Sequence, residues 1–142
     1  MMTAKLTIAD YPLAETRSDK IRGQRGKSLD NITLAAVMAG EVTMEDLRIT
    51  PQALADQAEI SRAAKRPTLA LNFERAAELV GVPQDFIMSS YEMLRPGRAK
   101  SKEQLLEVAK TFRQTYKAER MAKFIEEAAD VYERRGLFTY RF

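Results

Sequence analysis

The chain contains no cysteine, no histidine and no tryptophan among its 142 residues. Without cysteine there is no disulfide framework, and a reducing, cytoplasmic setting is the expectation. Losing both histidine and cysteine excludes Ser-His-Asp and Cys-His nucleophilic sites. Zinc sites built on those side chains go with them. So does the group whose ordinary pKa best suits proton transfer near neutrality. No apolar run approaches the ~20 residues that cross a bilayer, and Met1 to Lys5 lack the apolar stretch of a secretory signal. Catalysis by this chain alone would have to rest on carboxylates, lysine, tyrosine or a borrowed cofactor.

What is present is charge, unevenly placed, and apolar residues at helical spacing. The net charge is only +3. Nine basic and three acidic side chains lie between Arg95 and Lys123, whereas Glu41 to Glu59 holds five acidic and one basic. Such asymmetry suits a chain that meets an oppositely charged partner.

Residues 1–30 read as an irregular, extended N-terminal arm. Pro12 favours extended backbone at Tyr11, and Ile21 to Lys27 carries two glycines and little apolar content, so nothing there is expected to bury itself. Residues 31–142 read as a helical domain. Ile32, Leu34, Ala35, Val37 and Met38 suit a short helix stopped by Gly40. Thr43 with Asp46 is a capping-box variant for one more turn. Thr50-Pro51 opens a helix reaching about Lys65, with a threonine cap and proline at the first helical position. Pro67 opens the next, whose stripe is Leu69, Phe73, Ala76, Ala77 and Val80. After Gly81 and Pro83, a helix presents Ile87, Tyr91 and Leu94, and Arg95-Pro96-Gly97 ends it.

Ser101 with Gln104 reads as a capping box, and no proline or glycine follows until Gly136. One stripe is Leu105, Ala109, Phe112 and Tyr116; a second, rotated from it, is Met121, Phe124, Ile125, Ala128, Val131 and Tyr132. Without a breaker, one long helix over 102–135 is preferred to a break near Lys117–Arg120. The fold expected is all-α, an open helical bundle with the irregular arm in front.

Gly23-Gln24-Arg25-Gly26-Lys27-Ser28 mimics the end of a phosphate-binding loop. That loop needs four residues between its glycines and a strand before it, and neither is present; a flexible basic arm is the better reading. The acidic pairs Glu103/Glu107 and Glu126/Glu127 lie in basic helix surface and read as solvated. Lys110, Arg113, Lys117 and Arg120 recur at helical spacing. They support an alternative function, a basic helical nucleic-acid-binding module, although no recognised binding motif accompanies them.

Several ordered fragments carry a resemblance. Asp10-Tyr11-Pro12-Leu13-Ala14 comes first, then Ile32-Thr33-Leu34, Gly40-Glu41-Val42 and Arg48-Ile49-Thr50-Pro51. Asn72 to Leu79, Val82-Pro83 and Leu94-Arg95-Pro96 with Arg98 follow, then Leu105-Leu106 and Glu127-Ala128-Ala129 with Val131-Tyr132. In order and spacing the chain resembles the small (gamma) subunit of the adenosylcobalamin-dependent diol and glycerol dehydratases.

The resemblance implies a non-catalytic, structural subunit in a complex of large, medium and small subunits, usually doubled. Adenosylcobalamin would be bound by the large and medium subunits, not by this chain. There its adenosyl radical abstracts hydrogen from a 1,2-diol or glycerol, and loss of water gives the aldehyde. The family is helical with an irregular N-terminal portion, and its small subunit packs on the large one. None of its catalytic, cofactor-binding or metal-binding residues falls on this chain. The location implied is cytoplasmic, with packaging in a bacterial microcompartment as a further option.

Three departures from the family pattern stand out. The start, a few residues before Asp10, leans towards the glycerol-type arrangement. Gly97 stands where an aromatic is common. Leu137 to Phe142 is apolar where relatives often end in lysines, so the tail is expected to dock on a partner. The partner-contact candidates are Tyr11, Pro12, Leu13, Arg95, Arg98, Phe138, Tyr140 and Phe142.

Overall fold

A computed structural model of the chain describes residues 4–139. Helices α1 (Leu13–Thr16), α2 (Leu34–Met38), α3 (Met44–Leu47), α4 (Pro51–Ala63), α5 (Pro67–Leu79), α6 (Gln84–Leu94), α7 (Lys102–Gln114) and α8 (Glu119–Arg135) follow one another. Single 3-10 turns at Ile8–Asp10, Ser18–Lys20 and Leu29–Asn31 precede α2. Among the described residues there is no strand, and Arg22 and Ser28 make an isolated antiparallel bridge. The fold is all-α, as expected. The chain divides into two compact units, residues up to Val80 and residues from Gly81.

In the first unit α4 and α5 pack together as a helical hairpin. Thr50 caps α4 by accepting the Ala53 amide at 3.1 Å, and Pro51 takes the first helical position. Gln52 donates to the buried Asp56 at 2.8 Å, and the Ser61 hydroxyl donates to the Gln57 carbonyl. Both buried polar groups are thereby satisfied. Of α5, Ala70 is fully buried, Phe73, Ala76, Ala77 and Val80 are half-buried, and Leu69 stays exposed. The stripe expected there therefore faces inward only in part.

The N-terminal segment is irregular, but it does bury side chains. Leu6 and Leu13 form an apolar cluster with Ile60 of α4, and Ile21 packs against it. A capping box between Thr7 and Asp10 and the Arg17–Asp10 ion pair at 3.2 Å hold the intervening turns. The expectation that nothing there buries itself is corrected. Three leucine and isoleucine side chains, widely spaced in sequence, suffice to dock the segment on α4.

In the second unit α7 and α8 pack along each other. Their fully buried residues are Leu105, Ala109 and Phe112 on α7 and Ala122, Ile125 and Ala129 on α8. Both sets follow i, i+3/i+4, i+7 spacing, and the three alanines let the backbones approach closely. Phe86 of α6 joins this core with ring centroids 4.9 Å from Phe112 and 5.3 Å from Tyr116. The inward face of α6 is thus Phe86 and Ser90, while Tyr91 is exposed. Ser90 can be buried because its hydroxyl donates to the Phe86 carbonyl at 2.7 Å.

The single long helix over 102–135 is also corrected. Lys117 adopts a left-handed conformation, φ 57°, and ends α7. Its ammonium donates to the Gln114 carbonyl at 2.8 Å, and the amide of the buried Ala118 returns to the Phe112 carbonyl. Once the chain breaks there, the buried seam of α8 lies roughly a quarter-turn from the stripe read from its larger side chains. The Ser101 hydroxyl accepts the Gln104 amide at 3.4 Å, while the Gln104 side chain accepts from Lys100 rather than from Ser101.

Candidate functional site: an interaction surface

The glycine-containing segment 22–28 is a compact turn rather than a flexible arm. Gly26 takes φ 81°, its amide returns to the Gly23 carbonyl, and Gly23 and Lys27 close the turn at 3.0 Å. A side chain on Gly23 would stand 2.5 Å from the Asp46 carbonyl oxygen, so the turn sits directly against α3. From its tip Arg25 reaches the Asp46 carboxylate with two nitrogens, Nε at 2.9 Å, and the Glu41 carbonyl at 3.0 Å. Gln24 donates to the Ile49 carbonyl at 2.8 Å. Asp46 also accepts the Thr43 amide, completing the capping box of α3.

The Arg25 guanidinium is the main reason that the Asp46 carboxyl is held down at about 2. Burial pushes it the other way, and the Thr43 amide adds to the lowering. The loop therefore clamps the segment around α3 with a charge-assisted pair and presents no cradle for phosphate.

What the clamp holds is a surface with almost no apolar burial. Helix α2 has no buried residue. Leu34 is 77% exposed, Met38 80% and Met44 72%, and Val37, Leu47 and Ile49 are exposed as well. On α2 the large side chains Leu34, Val37 and Met38 share one face. Ala35, Ala36 and Ala39 line an open groove of about 560 Å³ with Lys27, Asp30, Asn31, Thr33 and Glu41. A five-residue helix is not stable by propagation alone, so its ends carry it. Thr33 accepts the Ala36 amide at the start. At the end Gly40 takes φ 75°, and the Gly40 and Glu41 amides return to Val37 and Ala36, a Schellman arrangement.

Six of the eight partner-contact candidates lie among the described residues, three in each unit. Tyr11 and Pro12 are exposed, whereas Leu13 is only 4% exposed and belongs to the cluster with Leu6 and Ile60. In the second unit Arg95 and Arg98 are brought together on Glu92, at 3.1 and 4.0 Å. Phe138 is half-buried with its ring 6.2 Å from Tyr132, whose hydroxyl donates to the Leu94 carbonyl. Tyr140 and Phe142 lie outside the described residues. Sequence reasoning did not single out Leu34, Val37, Met38, Met44, Leu47 and Ile49, because apolar residues at helical spacing do not by themselves tell an inward face from an outward one. The signal that could have separated them is helix length. One or two turns have too few positions to bury a stripe.

The basic row is not a strip. Arg113 is bound bidentately by Glu126, at 2.6 and 3.0 Å, and by Glu119 at 2.8 Å. Lys117 is turned onto a backbone carbonyl, and the break there places Arg120 on another helix. The 110–120 spacing that suggested phosphate contacts holds only on an unbroken helix. Among the described residues no cluster of acidic side chains could hold a metal ion, and no helix is long and apolar enough to cross a membrane.

Residues 6–139 match the model of a family described as the dehydratase small subunit. The chain is 45% identical over 133 residues to the propanediol dehydratase small subunit of Citrobacter freundii, covering 94% of this chain and 76% of that one. It is 44% identical over 128 residues to the propanediol dehydratase small subunit of Salmonella typhimurium (strain LT2), covering 90% and 73%. The chain belongs to the dehydratase small subunit family.

Proposed function

We propose that this chain is the small, non-catalytic structural subunit of an adenosylcobalamin-dependent dehydratase acting on 1,2-diols or glycerol, and that it packs on the large subunit. The observation that carries this reading is the family match over nearly the whole chain. The well-capped, apolar, unburied segment around α2 and α3 supports it. The names of the two relatives favour propanediol as the substrate of the complex.

The chain does not fit the cofactor. It has no imidazole or thiolate to offer a cobalt ion, and the groove beside α2 is far too open and polar for a corrin. As the family resemblance implies, adenosylcobalamin is assigned to the large and medium subunits, and no chemical step is assigned here. Tyr11, Pro12, Arg95, Arg98 and Phe138 are proposed as additional contacts, along with Tyr140 and Phe142.

The test is co-expression with the large and medium subunits. One co-purifying complex, active with adenosylcobalamin, is the expected result. A small subunit that elutes alone whatever partners are present would overturn the reading.

A further inference from the structure

Resting on that reading, we infer that the α2–α3 segment, through Leu34, Val37, Met38, Met44, Leu47 and Ile49, is the principal face by which this chain docks on the large subunit. Three observations carry the inference. The first is area. The six residues are 45–80% exposed, which for residues of this size leaves roughly 700 Å² of surface, backbone included, approaching the ~800 Å² per partner of a standard interface.

The second is preorganisation. Within residues 34–49 Val42 is the one buried large apolar side chain, yet the segment is fixed at several points. Thr33 and Gly40 cap α2, the Thr43–Asp46 box caps α3, and Arg25 ties Asp46 and the Glu41 carbonyl to the turn at Gly23. Rigidity arranged before binding lowers the entropic cost of association.

The third is charge. The segment carries Glu41, Glu45 and Arg48, with Arg48 drawn to Glu45 at 3.5 Å, while Asp46 is already neutralised by Arg25. With Glu45 and Asp46 each paired, the surface that fits is an apolar patch on the large subunit with a basic group opposite Glu41.

The test uses the full chain co-expressed with the large and medium subunits. Leu34→Glu with Met38→Glu places two carboxylates in the face without disturbing any buried side chain. Leu106→Glu, on α7 of the second unit, is the control. The face variant is expected to weaken retention of the small subunit in the complex by about tenfold or more, and Leu106→Glu by much less. Far-UV circular dichroism of the variant chain should match the parent, and Met38→Leu, which keeps an apolar side chain there, should be retained in the complex like the parent. Amide exchange over residues 34–49 should slow on assembly.

Equal retention of the face variant and the parent would overturn the inference, as would equal loss with Leu106→Glu. A shift in self-association of the isolated chain, with assembly unchanged, would assign the face to a second copy and also overturn it. Failure of the parent chain to join the complex at all would instead remove the proposed function itself.

Discussion

Asp46 shows how one side chain can organise a surface without touching what that surface binds. It is buried, caps α3 through the Thr43 amide and anchors Arg25. Its carboxyl is held at about 2 against an ordinary 3.8, chiefly by that guanidinium. Because the folded value is the lower one, the stabilisation is complete above pH 3.8 and is lost as the pH falls towards 2. Asp46→Asn is therefore expected to be less stable than the parent above pH 4, with the difference closing by about pH 2. Thermal midpoints of the two chains across that range check this.

A second residue-scale prediction concerns Lys65, which sits at φ 59° in the left-handed region. The Lys65 and Arg66 amides return to the Arg62 and Ser61 carbonyls, a helix end usually built on glycine. Lys65→Gly should raise stability by about 1 kcal/mol, read from the urea midpoint. Neither residue announces its role by type. Asp46 read only as a capping-box partner, and Lys65 only as the approximate end of its helix.

At the scale of elements, most helix starts and stops are local chemistry. Thr33, Thr50 and Ser101 accept amides as caps, and Gly40, Gly97 and Gly136 take positive φ where chain direction changes. All but Thr33 were read from the sequence, because a cap depends on four or five neighbouring residues. The break between α7 and α8 was not. Lys117 carries no mark of a breaker, and its left-handed conformation is sustained by the antiparallel packing of two helices that neither contains alone. The seam of that packing is small: Ala109, Ala122 and Ala129 are fully buried. Ala122→Leu should thus cost about 1–3 kcal/mol through overpacking. Ile125→Ala should cost about 2–5 kcal/mol through a cavity. Denaturant unfolding followed by circular dichroism measures both, and a tolerant Ala122→Leu would contradict so close an approach.

For the molecule as a whole, what is left uncovered says as much as the core. Residues 34–49 hold six exposed large apolar side chains around two short helices that bury only Asp46. An environment-sensitive apolar dye should therefore brighten with the natively folded isolated chain, and the signal should fall when the large and medium subunits are added. A dye signal absent from a folded, isolated chain would show the face to be closed in solution. Apolar composition alone did not locate this face. Leu34 and Leu105 are the same residue type at comparable spacing, one almost bare and the other fully buried.

By itself the sequence determined the all-α class, both ends of α4, α5 and α6 to within a few residues, the lack of imidazole and thiol chemistry, and the family, since each follows from residue identity and short-range order. Tertiary structure alone decided that the N-terminal segment docks through Leu6 and Leu13, that α7 and α8 are separate, and that the α2–α3 segment faces outward. Those outcomes turn on which side chains far apart in sequence meet. Burial is a property of pairs of surfaces, and a linear pattern records only one member of each pair.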